Sequence, residues 1–211
     1  MRLVKICGLK TAESVAAARQ AGADLLGFNF YAPSPRSVSP AQAAAIAGAA
    51  GGPLRVALFV DPDDALLADV FGIFRPDLVQ LHGAETPARV AEVREKFGLP
   101  VMKVFGIGGP ADLDRARAEQ GAADWVMLDS KPSPRASLPG GNAESFDWSL
   151  LHGVRLEKPW LLAGGLEPGN VARAIAIADP TGVDVSSGVE QARGVKDDAK
   201  IAAFVRAAKA A

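Results

Sequence analysis

The sequence predicts an α/β fold in which eight parallel strands, each followed by a helix, close into one barrel. Three observations favour this fold. Short apolar runs rich in β-branched residues recur through the 211 residues, and alanine-rich segments with helical spacing separate them. The strand starts fall 22 to 35 residues apart, which is about the length of one strand–helix unit.

The strand candidates come first, because several of them are nearly continuous in apolar residues, as strands covered on both faces of a parallel sheet are. We expect strands at Leu3–Cys7, Leu25–Phe30, Leu54–Val60, Asp77–His82, Pro100–Phe105, Asp124–Asp129, Pro159–Gly164 and Gly182–Ser187.

Helix candidates lie between and after these strands, and capping residues mark several of their ends. The expected helices are Thr11–Ala21, Pro40–Ala49, Asp63–Phe74, Thr86–Phe97, Ala111–Gln120, Phe146–Leu151, Pro168–Ala178 and Asp197–Ala210. The expected N-caps are Thr11, Ser39 and Thr86, and the expected C-caps are Gly22, Gly98 and Gly121.

Eight such units suit a closed (β/α)8 TIM barrel of about 200 residues. No linker or low-complexity tract interrupts the series, so we expect one domain over residues 1–211. The alternative is an open doubly wound sheet, which usually carries a glycine-rich nucleotide loop after an early strand. The first turn, CGLKTAE, is not such a loop, and GIGGP at Gly106–Pro110 lacks the required spacing.

Composition excludes several classes of function. The formal net charge is -1 and the pI is about 6.1, so no global positive field favours nucleic acid or an anionic membrane. No apolar run approaches the ~20 residues of a membrane span, and the first residues do not resemble a signal peptide. One cysteine cannot form an internal disulfide, which fits a reducing cytoplasm.

Polar and titratable residues stand where the predicted strands end. They are Cys7, Asn29, Asp61, His82, Asp129, Gly164–Gly165, Asp184 and Ser186–Gly188. In a (β/α)8 barrel these ends converge on one face, where the functional sites of the fold lie. Any one of these residues has an ordinary structural explanation, but the whole set favours a site.

The last two loops predict a phosphate site. Gly164 and Gly165 follow the seventh strand, and Ser186, Ser187 and Gly188 follow the eighth. Glycine lets the backbone approach a ligand, and exposed N–H and hydroxyl groups can surround a phosphate. Since the loops after strands seven and eight hold phosphate in many such barrels, we expect a phosphorylated small-molecule substrate.

Arg36 lies in the second loop, in a segment that Pro33 and Pro35 stiffen. The planar guanidinium suits a carboxylate or a phosphate. An ordinary solvated arginine on a surface loop is equally compatible with the sequence.

The segments KICGL, GFNF with SPRSVS, VQLHG, LDS, GGNAESFDW, LAGGL and DVSSGVE with GVKD together resemble those of phosphoribosylanthranilate isomerases, enzymes of tryptophan biosynthesis. The resemblance runs from Arg2 to Asp197 in the same order. It implies a (β/α)8 barrel without metal or organic cofactor that carries out an Amadori rearrangement of an aminoaldose to an aminoketose. Barrels of this type occur as monomers and as homodimers.

The resemblance also implies roles for individual residues. Cys7 would be the general base and Asp129 the general acid. Arg36 would hold the anthranilate carboxylate, and Asp184 would lie near the substrate nitrogen or hydroxyls. The backbone of the glycine and serine loops would hold the phosphate, and Gln80 and His82 would line the pocket. The sixth loop departs from the family, since Gly140-Gly141-Asn142-Ala143 replaces the common GGTG; the preceding Pro- and Ser-rich stretch is a candidate flap.

The chemistry sets requirements for the two catalytic candidates. An acid must protonate the ribose ring oxygen, so we expect Asp129 to be buried enough to carry a proton. A thiolate can remove the C2 proton, but a free cysteine is largely protonated at neutral pH. Because Lys5 and Cys7 share one strand face, we predict that the Lys5 charge lowers the pKa of Cys7. Alternatively, an inward-facing acid on another strand neutralises Lys5.

Other functions are also compatible with the sequence. Another phosphate-binding barrel enzyme, such as an aldolase or an indole-glycerol-phosphate synthase, is one; Lys103 is the only plausible Schiff-base lysine. A non-catalytic phosphosugar-binding barrel is a second, although it would be expected to lack the acid and the base. A broader isomerase that accepts the related histidine-pathway substrate is a third. The alternative to any catalytic role is that Cys7 is an ordinary buried residue of the core.

Overall fold

A computed structural model describes residues 2–48, 52–131 and 146–211. Its eight parallel strands close into a barrel in sequence order, with β1 paired to both β2 and β8. The closed parallel barrel confirms the predicted fold class and excludes the open sheet. The strands are β1 Leu3–Cys7, β2 Leu25–Asn29, β3 Leu54–Phe59, β4 Leu78–Leu81, β5 Val101–Ile107, β6 Trp125–Ser130, β7 Trp160–Leu162 and β8 Gly182–Val185.

In the described stretches seven helices surround the strands, and most begin where the capping residues predict. Thr11, Ser39 and Thr86 each accept the backbone N–H three residues on, which satisfies one of the unpaired donors of the first turn. The helices are α1 Ala12–Ala21, α2 Pro40–Ile46, α3 Asp64–Ile73, α4 Pro87–Phe97, α5 Pro110–Glu119, α6 Val171–Ala178 and α7 Asp198–Ala210.

Two helix predictions are corrected. The segment predicted as a sixth helix forms only a short 3-10 turn at Trp148–Leu151. Gly121 does not cap α5, because a 3-10 turn at Gln120–Ala122 continues from the end of that helix. Gly22 and Gly98 do end α1 and α4 in the left-handed conformation that glycine adopts without strain.

An unpredicted hairpin follows β8. Its strands, β9 Glu190–Ala192 and β10 Val195–Lys196, pair antiparallel. The hairpin precedes α7 and carries Glu190 and Lys196, both of which enter the site described below.

Strand alternation separates the two faces of the barrel wall. One set of side chains packs against the helices, and the alternate set fills the barrel interior with an apolar cluster. The interior cluster is Leu25, Val56, Leu78, Met102, Val104, Met127, Leu161 and Ala163. Polar side chains of the same alternate set therefore lie above this cluster, toward the carboxyl ends of the strands. No helix in the three described stretches is both long enough and apolar enough to cross a membrane.

Candidate active site at the barrel mouth

The structure brings the predicted acid and base to the interior side of the barrel mouth. On β1, Cys7 follows Lys5 at a spacing of two, and on β6 Asp129 follows the interior residue Met127 in the same way. Both side chains are buried, with 5% of Cys7 and 6% of Asp129 exposed. The burial expected of Asp129 is therefore present.

Cys7 lies beside a buried ion pair. The Nζ of Lys5 lies 2.6 Å from the Oδ1 of Asp184 on the neighbouring strand β8. Burial raises the pKa of the Cys7 thiol above its ordinary value of 9.0, and the Asp184 charge adds to the rise, while Lys5 and Lys196 act in the opposite direction. Lys5 thus favours the thiolate, but burial and the Asp184 charge outweigh it and the pKa of Cys7 is raised; that Lys5 ionises Cys7 during the reaction stays a prediction. The alternative, that an acid on another strand neutralises Lys5, is confirmed.

Asp129 has a hydrogen-bond donor on one side and the His82 ring close by on the other. The backbone N–H of Ser130 donates to its Oδ1 at 2.7 Å, and its Oδ2 lies 3.3 Å from the Nε2 of His82. Gly164 packs against the same carboxylate, since a Cβ built on it would lie 3.1 Å from Oδ1 and 2.6 Å from the Ser130 nitrogen. The first loop glycine after β7 thus adjoins the candidate acid.

Gln80 and His82 form a column on β4 next to Asp129. The Nε2 of Gln80 lies 3.0 Å from the Nδ1 of His82. The Oε1 of Gln80 and the Nε2 of His82 are buried and make no hydrogen bond among the described residues; the Asp129 carboxylate lies 3.3 Å from that His82 nitrogen, but not in hydrogen-bonding geometry. Such orphaned polar atoms carry a desolvation cost, and a polar substrate in the barrel mouth would satisfy them.

The loops after β7 and β8 pack directly on each other. Gly164 and Gly165 have φ of 88° and 64°, a left-handed conformation that favours glycine. A Cβ on Gly188 would lie 1.9 Å from the carbonyl oxygen of Leu166, so no other residue fits there. Ser186 and Ser187 precede Gly188, and the expected phosphate-binding residues are thereby brought together.

Arg36 is buried and held, not solvated. Its Nε donates to the Oε1 of Glu190 at 2.7 Å, and its NH2 group donates to Oε2 at 2.9 Å. Its stem packs on Gly8, where a Cβ would lie 2.7 Å from the Arg36 Cδ. Gly8 has a φ of 75°, so it both turns the chain after Cys7 and makes room for the arginine.

Sequence reasoning missed two functional candidates in the hairpin. Glu190 holds Arg36 and also lies 3.1 Å from the Nζ of Lys196, which in turn donates to the carbonyl oxygen of Ser186 at 2.8 Å. Arg36 holds the pKa of Glu190 below its ordinary value although burial opposes this, and burial lowers the pKa of Lys196. Both residues stand in the quoted motifs DVSSGVE and GVKD, but one sequence does not indicate their pairing.

Lys103 does not face the barrel mouth. It lies between the interior residues Met102 and Val104, so its side chain points to the opposite face of the wall. There its Nζ lies 2.6 Å from Glu85 and donates to the carbonyl oxygen of Gly83 at 2.7 Å. This placement does not suit the Schiff-base lysine of an aldolase.

No three or more His, Cys, Asp or Glu side chains within residues 2–48, 52–131 and 146–211 are placed to hold a metal ion. The departing loop at Gly140–Ala143 and most of the candidate flap lie outside the described residues.

A closed parallel barrel with a buried acid, a buried thiol and two joined glycine loops at its mouth defines a (β/α)8-barrel enzyme. The chain matches the model of the N-(5'-phosphoribosyl)anthranilate isomerase family over residues 4–207. The chain belongs to the N-(5'-phosphoribosyl)anthranilate isomerase family, and its enzyme class is isomerase.

Curated relatives and solved structures agree with this assignment. The N-(5'-phosphoribosyl)anthranilate isomerases of Rhodospirillum rubrum and Paracoccus denitrificans are 50% and 53% identical to this chain, and in each case the match covers 98% of this chain and 97% of the relative. The phosphoribosyl anthranilate isomerase structure from Thermotoga maritima has a TM-score of 0.89 at 34% identity, with both chains fully covered. A phosphoribosyl anthranilate isomerase solved with reduced 1-(o-carboxyphenylamino)-1-deoxyribulose 5-phosphate has a TM-score of 0.85 at 33% identity, again with full coverage.

Proposed function

We propose that this chain converts N-(5-phosphoribosyl)anthranilate to 1-(o-carboxyphenylamino)-1-deoxyribulose 5-phosphate, an Amadori rearrangement in tryptophan biosynthesis. The observation that carries the proposal is the pair of buried groups, Cys7 and Asp129, on the interior face of the barrel mouth. This rearrangement needs a general acid and a general base, and a carboxyl group and a thiol can supply them. The family match and the relatives' names support the same reaction.

In this mechanism Asp129 gives its proton to the ribose ring oxygen as the bond from C1 to that oxygen breaks. The nitrogen lone pair forms an iminium with C1, which makes the C2 proton acidic. The Cys7 thiolate then removes that proton and leaves an enolamine. Loss of the O2 proton and protonation of C1 give the aminoketose, so the product is an isomer of the substrate.

Substrate binding is assigned to the residues around the pair. The backbone of Gly164, Gly165 and the 186–188 loop would hold the phosphate, since both glycines are left-handed and the two loops touch. Arg36 would bind the anthranilate carboxylate. Gln80 and His82 would meet polar groups of the substrate with their unpartnered atoms, and Asp184 would face the substrate nitrogen.

The wider setting follows from the same assignment. The whole chain, 1–211, would act as one catalytic domain without a resident cofactor, and it would work in the cytoplasm on a phosphorylated small molecule. Either a monomer or a homodimer fits; a Thermotoga maritima relative is described as dimeric.

The Cys7→Ala variant tests the assignment of the base. It should lose at least about a hundredfold in kcat, since a general base typically contributes about 10²–10⁴, with little change in substrate KM. The measurement is the loss of fluorescence of phosphoribosyl anthranilate, followed for wild type and variant. Near-normal turnover by Cys7→Ala would refute the assignment, and an inactive wild type would refute the proposed reaction.

A further inference from the structure

Lys5, Asp184 and Cys7 form a buried charge cluster whose members are unequally exposed. The Lys5 side chain is fully buried, whereas the Asp184 side chain keeps 11% of its surface exposed. Lys5 and Asp184 are partners in the register of β1 and β8, and Cys7 lies two residues above Lys5. Asp184 is therefore the member of the ion pair that is accessible from outside the barrel interior.

The described residues of β2 and of the hairpin complete the surroundings of the thiol. A Cβ built on Gly27 of β2 would lie 3.0 Å from the Cys7 Sγ and 3.2 Å from the Lys5 Nζ, so both atoms lie against the same glycine and β2 adds no charge there. On the hairpin side, Lys196 acts on Cys7 and favours the thiolate; Glu190 lies 3.1 Å from Lys196 and neutralises it in part, since the same carboxylate also pairs with Arg36.

The charge count of the cluster decides the state of the thiol. Lys5 supplies one buried positive charge, and the Asp184 carboxylate already balances it. A thiolate at Cys7 would be a second anion on one ammonium in a poorly solvated place, which is costly. In the free protein, Cys7 is accordingly held as the thiol, although the proposed reaction needs the thiolate.

We propose that Asp184 controls when Cys7 ionises, because it holds the charge of Lys5 until the substrate iminium forms beside it. This proposal rests on the function proposed above. Ring opening places a positive charge on the substrate nitrogen, and the Asp184 carboxylate becomes its counter-ion. Lys5 then stabilises the Cys7 thiolate, and the thiol proton leaves to water in the barrel mouth. The base becomes active only after the step that makes the C2 proton acidic.

The test is a titration of Cys7 in the Asp184→Asn variant of the full chain without substrate. The thiolate absorbs near 240 nm, and the single cysteine makes the signal specific once the Cys7→Ser curve is subtracted. We expect the midpoint to fall by about one pH unit relative to wild type, as removal of a nearby like charge predicts. The same variant should lose at least about tenfold in kcat, since the iminium has lost its counter-ion.

Asp179→Asn is the matched control. It removes one carboxylate at an exposed position before β8, where asparagine also tolerates the left-handed backbone, and it should leave the midpoint unchanged. Asp184→Ser replaces the asparagine variant if circular dichroism shows that the latter is unfolded.

An unchanged or raised midpoint in a folded Asp184 variant overturns the proposal, as does a lower midpoint with undiminished kcat. Because the titration needs no substrate, its failure is separate from a failure of wild type to turn over phosphoribosyl anthranilate.

Discussion

Charged residues at the barrel mouth form their ion pairs with residues that are far away in the sequence. The period of two on β1 places Lys5 beneath Cys7, but only the pairing of β1 with β8 places Asp184 on Lys5. Arg36 likewise meets Glu190 across 154 positions. The sequence predicts which residue types meet at the barrel mouth. Which charged side chains pair with each other is decided by the closed barrel.

Glu190→Gln tests the hairpin carboxylate at the residue scale. The change leaves the Arg36 and Lys196 cations without their shared buried anion, so we expect the free energy of unfolding to fall by about 3–5 kcal/mol. Because Arg36 loses its bidentate partner, the KM for phosphoribosyl anthranilate should rise more than kcat falls. Urea unfolding and steady-state kinetics measure the two effects.

Glu92→Gln is its control, because Glu92 pairs with Arg89 on an exposed helix face. Such a pair contributes about 0.3–0.5 kcal/mol. Equal losses of stability in the two variants would contradict a special role for the buried hairpin carboxylate.

At the scale of elements, most predicted boundaries agree with the structure to within two or three residues. β1 agrees fully, and α1, α4 and α7 begin one residue after their N-caps. Two segments differ from the prediction, because their sequence patterns are too short to indicate the element clearly. The sixth helical segment is short and forms a 3-10 turn, and the β9–β10 hairpin has too few residues for a clear alternation.

Gly188→Ala tests the contact between the loops after β7 and β8. The added Cβ would lie 1.9 Å from the Leu166 carbonyl oxygen, so the loops must separate and the phosphate site opens. We expect the substrate KM to rise at least about tenfold, a loss of about 1.4 kcal/mol in binding. Steady-state kinetics and competition by inorganic phosphate measure this.

Gly169→Ala provides the comparison in the loop after β7. Its Cβ would have a nearest neighbour at 3.7 Å, so its kinetics should match wild type. A normal KM and phosphate affinity in Gly188→Ala would show that the loops need not touch to bind phosphate.

The whole molecule combines an apolar barrel interior with charged groups that are paired rather than solvated. The buried ammonium groups of Lys5, Lys103 and Lys196 each lie within 3.1 Å of a carboxylate. Removal of one partner of such a pair lowers the free energy of unfolding by more than the intact pair contributes, because the other charge is left buried without a partner. The stability of the barrel therefore depends on the ionised state of its acids.

Acid should destabilise the whole barrel. Arg36 and Arg55 hold the pKa values of Glu190 and Asp77 below their ordinary 4.5 and 3.8, so near those values the unfolded chain binds more protons than the folded one. The stability these groups supply is present above about pH 5 and is lost as the pH falls through their folded-state pKa values. Urea unfolding at pH 3 and pH 6 should show the lower free energy at pH 3; equal or greater stability at pH 3 would contradict this.

The sequence by itself determined the barrel, the strand ends that carry chemistry, the glycine loops and the family. These follow from local signals, namely strand alternation, helix caps and short motifs read in order. Only the tertiary structure decided the state of the site: that Asp184 holds Lys5, that Glu190 holds Arg36 and Lys196, and that Lys103 faces away from the mouth. The reason is physical, because burial and charge pairing arise between strands and loops that meet only when the barrel closes.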